Sequence, residues 1–310
     1  MHKAKKNSYN TIPIGTRLRG KWHHNQYVVH KKLGMGAIGA VYLCSVNGRK
    51  VALKVSEKST SITIEVNVLK ALQKVQGNQL GPSLYDVDDW VAKDGRTYSF
   101  YVMEYIKGEP MDTFIRRNGT AWIGPFLLQL LNDLEGLHQA GWVFGDLKMD
   151  NLLIYPKPPR VRLIDVGGTT QKGRAIKEYT EFYDRGYWQL GSRKAEPSYD
   201  LFAVVMIFIH LFYPNRFEKQ GESLPLLRSK LSAIRALAPY QACFDKALRG
   251  VYKTSGEMKE DVIYIVAHQH QSRSSMHKTL PFWKRTTPIE YISISLLTLS
   301  AYGIAWLFTL

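Results

Sequence analysis

Three glycines within six residues, Gly34-Met35-Gly36-Ala37-Ile38-Gly39, sit between two segments that each read as β-strand. Before them comes Tyr27-Val28-Val29-His30-Lys31-Lys32-Leu33, and after them Ala40-Val41-Tyr42-Leu43-Cys44-Ser45-Val46. The pattern G-x-G-x-x-G-x-V is common to several phosphate-binding loops, and the residues that follow separate them. A Walker-type loop ends in Gly-Lys-Ser/Thr, whereas Gly39 is followed by Ala40-Val41. A dinucleotide fingerprint passes from strand to helix. Here the second strand instead turns through Asn47-Gly48, a strong two-residue hairpin signal. What remains is a glycine-rich β-hairpin flap, whose amides can approach a phosphate because no Cβ intervenes, or a purely structural turn.

The third strand, Val51-Ala52-Leu53-Lys54-Val55, sets an ammonium among apolar residues. Such a charge is costly to bury without a partner. Residues 62–75 show Ile64, Val68, Leu69 and Leu72 at helical spacing, and Glu65 on that helix is the natural counter-charge. A further strand is expected over 98–105. From Phe126 the pattern turns helical, with Leu127, Leu130, Leu131, Leu134 and Leu137 on one face. Short strands are predicted near 152–154 and 161–164, and a very apolar helix over 201–212. The layout is a small β-rich lobe followed by a larger helical one, with no internal repeat.

Phe144-Gly145-Asp146-Leu147-Lys148-Met149-Asp150-Asn151 reproduces D-L-K-x-x-N, and Leu163-Ile164-Asp165-Val166-Gly167 follows at short distance. With the glycine flap and the V-A-I-K-like strand, these motifs in this order resemble the Hanks-type bacterial serine/threonine protein kinases over residues 27–270. The resemblance implies an α+β bilobal protein-kinase fold and transfer of phosphoryl from ATP, with Mg²⁺, to a protein hydroxyl. It implies Asp146 as the residue orienting the hydroxyl and taking its proton, and Lys148 as the neutraliser of the γ-phosphate. Asn151 and Asp165 would be the metal ligands. Gly34, Gly36 and Gly39 would cover the phosphates, and Lys54, paired with Glu65, would reach them. Leu33, Val41, Ala52 and Leu153 would line the adenine slot, with Met103 as gatekeeper and Glu104-Tyr105-Ile106 as hinge. Asp200 would anchor the catalytic loop through its backbone amides.

Two departures stand out. Phe144-Gly145-Asp146 replaces H-R-D, so the arginine that reads an activation-loop phosphate is absent. Phe144, Val166 and Leu69 are still expected to stack as an apolar spine. Phosphorylation between Asp165 and Tyr187, at Thr169, Thr170 or Thr180, is therefore not expected to be the main switch. Arg185-Gly186-Tyr187 stands where A-P-E belongs, which removes the usual glutamate of a large-lobe Glu–Arg tie. The Gly145-Asp146 pair also resembles small-molecule kinases of the aminoglycoside and lipopolysaccharide-sugar type, the alternative reading. A nucleotide-binding pseudokinase scaffold is a third, opposed by the presence of Lys54, Asp146, Asn151 and Asp165 together.

Of the net charge of +16, half lies in residues 1–32, which hold eight Lys/Arg and no acid. Residues 1–26 are read as a solvated basic arm. Cys44 and Cys243 are too few for a disulfide framework and read as reduced thiols of a cytoplasmic protein. Met1-His2-Lys3 leads into no apolar run, so no secretory signal is expected. Residues 291–310 carry no charge, and twenty residues at about 1.5 Å each span roughly 30 Å, a bilayer's hydrocarbon thickness. We therefore expect a transmembrane anchor over 289–310. Lys284 and Arg285 upstream place the kinase on the cytoplasmic side of the cell membrane, as a single-pass protein.

Residues 271–288 form a basic juxtamembrane segment in which Arg273, Lys278, Trp283, Lys284 and Arg285 interleave cations with an aromatic. That composition suits DNA, through phosphate contacts and stacking, and also anionic lipid. Within its family the chain is similar to membrane-anchored sporulation kinases that lack an external sensor domain. That similarity implies a kinase activated by DNA and acting on DNA-associated proteins. With no sensor module after Leu310, the input is expected from the cytoplasm. Expected partners are protein substrates, DNA and the membrane. A homodimer is left open, since Gly303 is a lone small residue and not a helix-packing motif.

Overall fold

The computed structural model describes residues 11–36, 39–74 and 81–278, with side chains over 11–36, 39–73 and 81–269. The chain divides into two units, residues 1–262 and 263–310. In the first, strands β1 (Arg17–Arg19), β2 (Gln26–Met35), β3 (Ala40–Val46), β4 (Arg49–Ser56), β5 (Leu84–Val91) and β6 (Thr97–Glu104) form one antiparallel sheet in the order β1-β2-β3-β4-β6-β5. Asn47 and Gly48 take φ of 48° and 76°, the doubly left-handed turn whose twist suits a two-residue hairpin.

Alternation gives the sheet two unlike faces. Tyr42, Cys44, Val51, Leu53, Val55, Phe100 and Val102 point into an outer core shared with Tyr27, Val29 and Tyr98. The opposite face carries Val41, Lys54 and Tyr101 in one cross-strand row, and Leu43, Ala52 and Met103 in the next. Helix α1 (Ser59–Lys74) packs against β4, β5 and β6.

Residues 11–26 are not a free basic arm. Leu18 of β1 pairs with Tyr27, and both Leu18 and Ile12 are buried in the outer core. The Ile12 amide donates to the Tyr42 hydroxyl at 3.1 Å. Asp88 of β5 accepts the Trp22 and His23 amides at 2.9 and 2.8 Å, which fixes the turn after β1. Arg17 and Arg19 are exposed, as the charge count implied, but Leu18 between them faces inward. Burying one such leucine contributes about 1.5–3 kcal/mol, enough to hold a three-residue edge strand in place.

The helical lobe contains α2 (Met111–Asn118), α3 (Ile123–Gln139), α4 (Pro197–His210), α5 (Ser223–Ser232) and α6 (Gln241–Leu248). Helix α4 is its axis, buried at every residue from Pro197 to Ile209. A small sheet joins β7 (Glu109–Pro110), β9 (Leu152–Pro156) and β10 (Pro159–Leu163), while β8 (Trp142–Val143) pairs with β11 (Thr170–Gln171). Helix α7 (Ser255–Lys278) begins in the first unit and ends in the second. Cys44 and Cys243 are buried free thiols, pushed up to about 12 and about 11 by burial, which leaves them unreactive at neutral pH. The anchor expected over 289–310 lies outside the described residues. Among the described residues no helix is long and apolar enough to cross a membrane.

Candidate active site

Lys54 and Tyr101 are cross-strand partners on β4 and β6, so both side chains leave the same face of the sheet towards α1. Only two residues link β4 to α1, and the helix therefore brings Glu65 directly over that face. Lys54 Nζ lies 2.7 Å from Glu65 Oε2 and 3.3 Å from Asp165 Oδ1. Tyr101 donates its hydroxyl to the same Glu65 Oε2 at 2.6 Å. Burial alone would lower the Lys54 ammonium, but the Asp165 and Glu65 carboxylates outweigh it and hold it above its ordinary value. Glu65 thus meets Lys54 as the expected counter-charge and holds Tyr101 on the same oxygen.

The catalytic loop is pinned from below. Asp200, fully buried in the first turn of α4, accepts the Phe144 and Gly145 amides at 2.7 and 2.9 Å. His138 of α3 lies with Nε2 2.8 Å from Asp200 Oδ2 and Nδ1 2.9 Å from the Ser255 hydroxyl. Gly145 has φ +80°, and a Cβ there would sit 2.6 Å from the Gly168 carbonyl oxygen. A side chain at this position would be strained in this loop conformation, so the glycine of Phe144-Gly145-Asp146 fits the backbone it occupies. Phe144, Val166 and Leu69 are all buried, and a Cβ on Gly81 would lie 3.4 Å from Val166 and 3.8 Å from Leu69.

Above the loop, Lys148 Nζ is 2.5 Å from Asp146 Oδ2, and Thr180 donates its hydroxyl to Asp146 Oδ1 at 2.9 Å. Lys148 Nζ also lies 3.3 Å from Thr180 Oγ1, closing a triangle of acid, ammonium and hydroxyl. Asn151 gives Nδ2 to the Asp146 carbonyl at 3.0 Å, which leaves its amide oxygen as the remaining acceptor. Its backbone carbonyl takes the Ile164 amide at 3.0 Å, seating Asp165 beside it. Asp165 receives the Gly167 amide and Lys54 on Oδ1, leaving Oδ2, and its side chain is 45% exposed. The Asn151 amide oxygen and the Asp165 carboxylate are hard donors of the kind Mg²⁺ takes. Lys54 from the sheet thus meets Asp165, and Asn151 is bonded to the Asp146 carbonyl, so residues from the sheet and from 146–165 come together.

The glycines of the flap differ in their reasons. A Cβ at Gly39 would lie 2.3 Å from the Val55 carbonyl oxygen, so packing accounts for that one. At Gly34 and Gly36 it would meet nothing within 4 Å among the described residues, so packing does not account for these two. Ala37 and Ile38 at the tip lie outside the described residues. Leu33 is 39% exposed, Val41 and Leu153 are partly so, and Ala52, Met103 and Ile106 are buried behind them. Glu104 has a second role beside its expected place in the hinge. Its carboxylate is held by Arg162 at 2.8 Å and the Ser83 amide at 3.3 Å, so its side chain ties β6 to β10 and its backbone alone follows the hinge.

Three of the hydroxyls between Asp165 and Tyr187 have distinct fates. Thr169 is buried, and Thr170 donates to the Gly168 carbonyl at 3.0 Å. Thr180 belongs to the site itself and cannot be grouped with switchable hydroxyls, since its oxygen is committed to Asp146. The missing Glu–Arg tie has a substitute. Asp184, buried, accepts the Gly186 and Tyr187 amides at 3.0 and 2.9 Å and pairs with Arg193 at 2.7 Å. Arg185, also buried, pairs with Glu196 at 2.5 Å and donates to the Ser198 hydroxyl at 2.7 Å. Together they fasten this segment to the start of α4. Of the basic segment, Arg273 and Lys278 lie on the α7 backbone without described side chains, and Trp283, Lys284 and Arg285 lie outside the described residues.

The sequence family described as protein kinase domain matches residues 27–282. The chain belongs to the protein kinase family. It is 50% identical over 254 residues to the serine/threonine-protein kinase YabT of Bacillus subtilis strain 168, covering 82% of this chain and 75% of that one. It is 29% identical over 214 residues to cyclin-dependent kinase B2-1 of Arabidopsis thaliana, with 62% of this chain and 67% of the relative covered. A similar identity, 29% over 163 residues, relates it to human serine/threonine-protein kinase VRK2, over 46% of this chain and 32% of the relative. The chain is a serine/threonine protein kinase, and its domain implies ATP as phosphoryl donor. Thr180, Tyr101 and the Asp184-Arg185 pair are site residues that spacing did not single out. Of these, Tyr101 had a usable signal, because two predicted strands of known parity would place it beside Lys54.

Proposed function

We propose that this kinase is tethered to the cytoplasmic face of a membrane by residues 289–310 and raises its activity when residues 271–288 bind DNA. In the cleft, Asp146 orients the acceptor hydroxyl and takes its proton, with Thr180 and Lys148 fixing the carboxylate's two oxygens. Lys148 also balances charge on the phosphoryl group in flight, and Lys54 holds the nucleotide's inner phosphates. Asn151 and Asp165 would hold Mg²⁺, whose positive charge would offset that of the nucleotide's phosphates. Leu33, Val41, Ala52 and Leu153 would enclose the adenine, under Gly34 and Gly36.

The carrying observation for the catalytic reading is the Asp146–Lys148–Thr180 triangle, a hydroxyl-directed base held beside a cation. For the regulatory reading it is the run of Arg273, Lys278, Lys284 and Arg285 with Phe282 and Trp283 and no acid between residues 271 and 285. Cations among aromatics suit a polyanion with stackable bases. Anionic lipid is the second reading, favoured by the uncharged run that follows. The test uses the full chain in detergent, assayed for phosphotransfer with duplex DNA or with vesicles of anionic lipid. Four phosphate contacts predict a slope of log binding constant against log salt of about −3.6 for DNA. Stimulation by lipid alone, or a salt-independent response, would exclude the DNA reading. Recovery of the kinase in the soluble fraction after cell lysis would exclude the anchor.

A further inference from the structure

The Lys54–Glu65 pair has to be held against a real cost. Glu65 is 1% exposed, and among the described residues its Oε1 has no hydrogen-bond partner. A buried carboxylate oxygen without a donor is costly, so the donors on its other oxygen carry the whole of its fixation. The loop beneath does not supply a countervailing grip. Gly145 cannot bear a side chain, so no arginine from that position reaches the segment after Asp165. Glu178 of that segment lines the same cavity of about 370 Å³ as Glu65, and places a like charge nearby. Burial and the neighbouring Glu65 carboxylate both push the Glu178 carboxyl up. Glu178 thus gives Glu65 no hydrogen-bond donor from that side.

The grip comes from the sheet. Tyr101 is 1% exposed, stands directly across from Lys54, and donates to the oxygen that Lys54 also holds. Ammonium and phenol, side by side on one β-face, close on a single carboxylate oxygen. Burial and the adjacent carboxylates drive the Tyr101 phenol well above its ordinary value, so it remains a donor throughout the working pH range.

We propose that Tyr101 is a positioning residue for phosphoryl transfer: it holds Glu65 inward from the sheet side, and through Glu65 keeps Lys54 aimed at the nucleotide. This rests on the reading of Lys54 as a phosphate ligand. A hydrogen bond to a charged group shifts an equilibrium about tenfold or more, which sets the scale of the effect.

The experiment is a set of steady-state measurements on the full chain, varying ATP. Tyr101→Phe should lower kcat/KM for ATP about tenfold. Tyr101→Met, an apolar side chain with no O–H, is run in parallel so that the result does not depend on one variant folding, and thermal melts report the folded fraction. Because Tyr101 acts through Glu65, adding Tyr101→Phe to Glu65→Gln should cost less than twofold further. A merely structural tyrosine would lower the melting temperature in both backgrounds and leave kcat/KM per folded molecule unchanged. Folded Phe and Met variants within twofold of wild type, or a tenfold loss that persists on the Glu65→Gln background, would overturn the proposal. Lys54→Met is the control: full activity there would show that the Lys54 reading, and with it the clamp, is wrong.

Discussion

Thr180 illustrates how much a single oxygen can carry. It sits 34 residues from Asp146 in sequence, yet its hydroxyl is within hydrogen-bond reach of both the base and Lys148. Removing it leaves one Asp146 oxygen without its donor and frees the carboxylate to rotate. Thr180→Ala should lower kcat by about tenfold to a hundredfold with little change in the KM for ATP, while Thr180→Ser should retain most of it. Thr180→Glu should resemble the alanine variant. A glutamate variant more active than wild type would mean that the position is read as a phosphosite. At the neighbouring Gly145 the constraint is spatial, since any side chain would strike the Gly168 carbonyl.

At the scale of elements, helix α3 carries a liability against the β9–β10 hairpin. Asp133 is buried there, and burial pushes its carboxyl up to about 6, against the pull of Arg160 and Arg162. Between the ordinary value of 3.8 and about 6, the unfolded chain has lost this proton while the folded one retains it. Stability therefore falls as pH rises through that window, and the full cost is present at neutral pH. Asp133→Asn should flatten this slope and stabilise the protein at pH 7 by something on the order of 2 kcal/mol. Melting curves taken from about pH 4 to about 7 check it; identical slopes for the two proteins would rule it out. Elements such as α1, β3, β4 and α4 were legible because each has a strong period and a clear punctuation mark, such as Asn47-Gly48. So were Lys54, Asp146, Asn151 and Asp165, since their motifs are short and local. Thr180, Asp184 and Arg185 were not, because their roles exist only after the segment between Asp165 and α4 has folded back on the catalytic loop. The Glu104 side chain's tie was illegible for a related reason: its partner Arg162 is 58 residues away.

For the whole molecule, the sheet's outer face is the feature with the widest reach. The family match begins at residue 27, the second residue of the glycine flap's first strand. Ile12 and Leu18 lie before that point and seal apolar residues of β2, β3 and β4. The same hydrophobic face explains why a count of charges misread residues 11–26: cations on alternate positions of an edge strand advertise solvent while the residue between them faces inward.

Anyone preparing the catalytic region for biochemistry would be tempted to start it at Tyr27. Such a fragment would bare a greasy sheet surface next to an unpaired strand edge, the combination that drives self-association. A version beginning at Thr11 should run as a monodisperse species in size-exclusion chromatography, and one beginning at Tyr27 should elute as aggregate. Equal behaviour of the two would show that the first strand is dispensable padding.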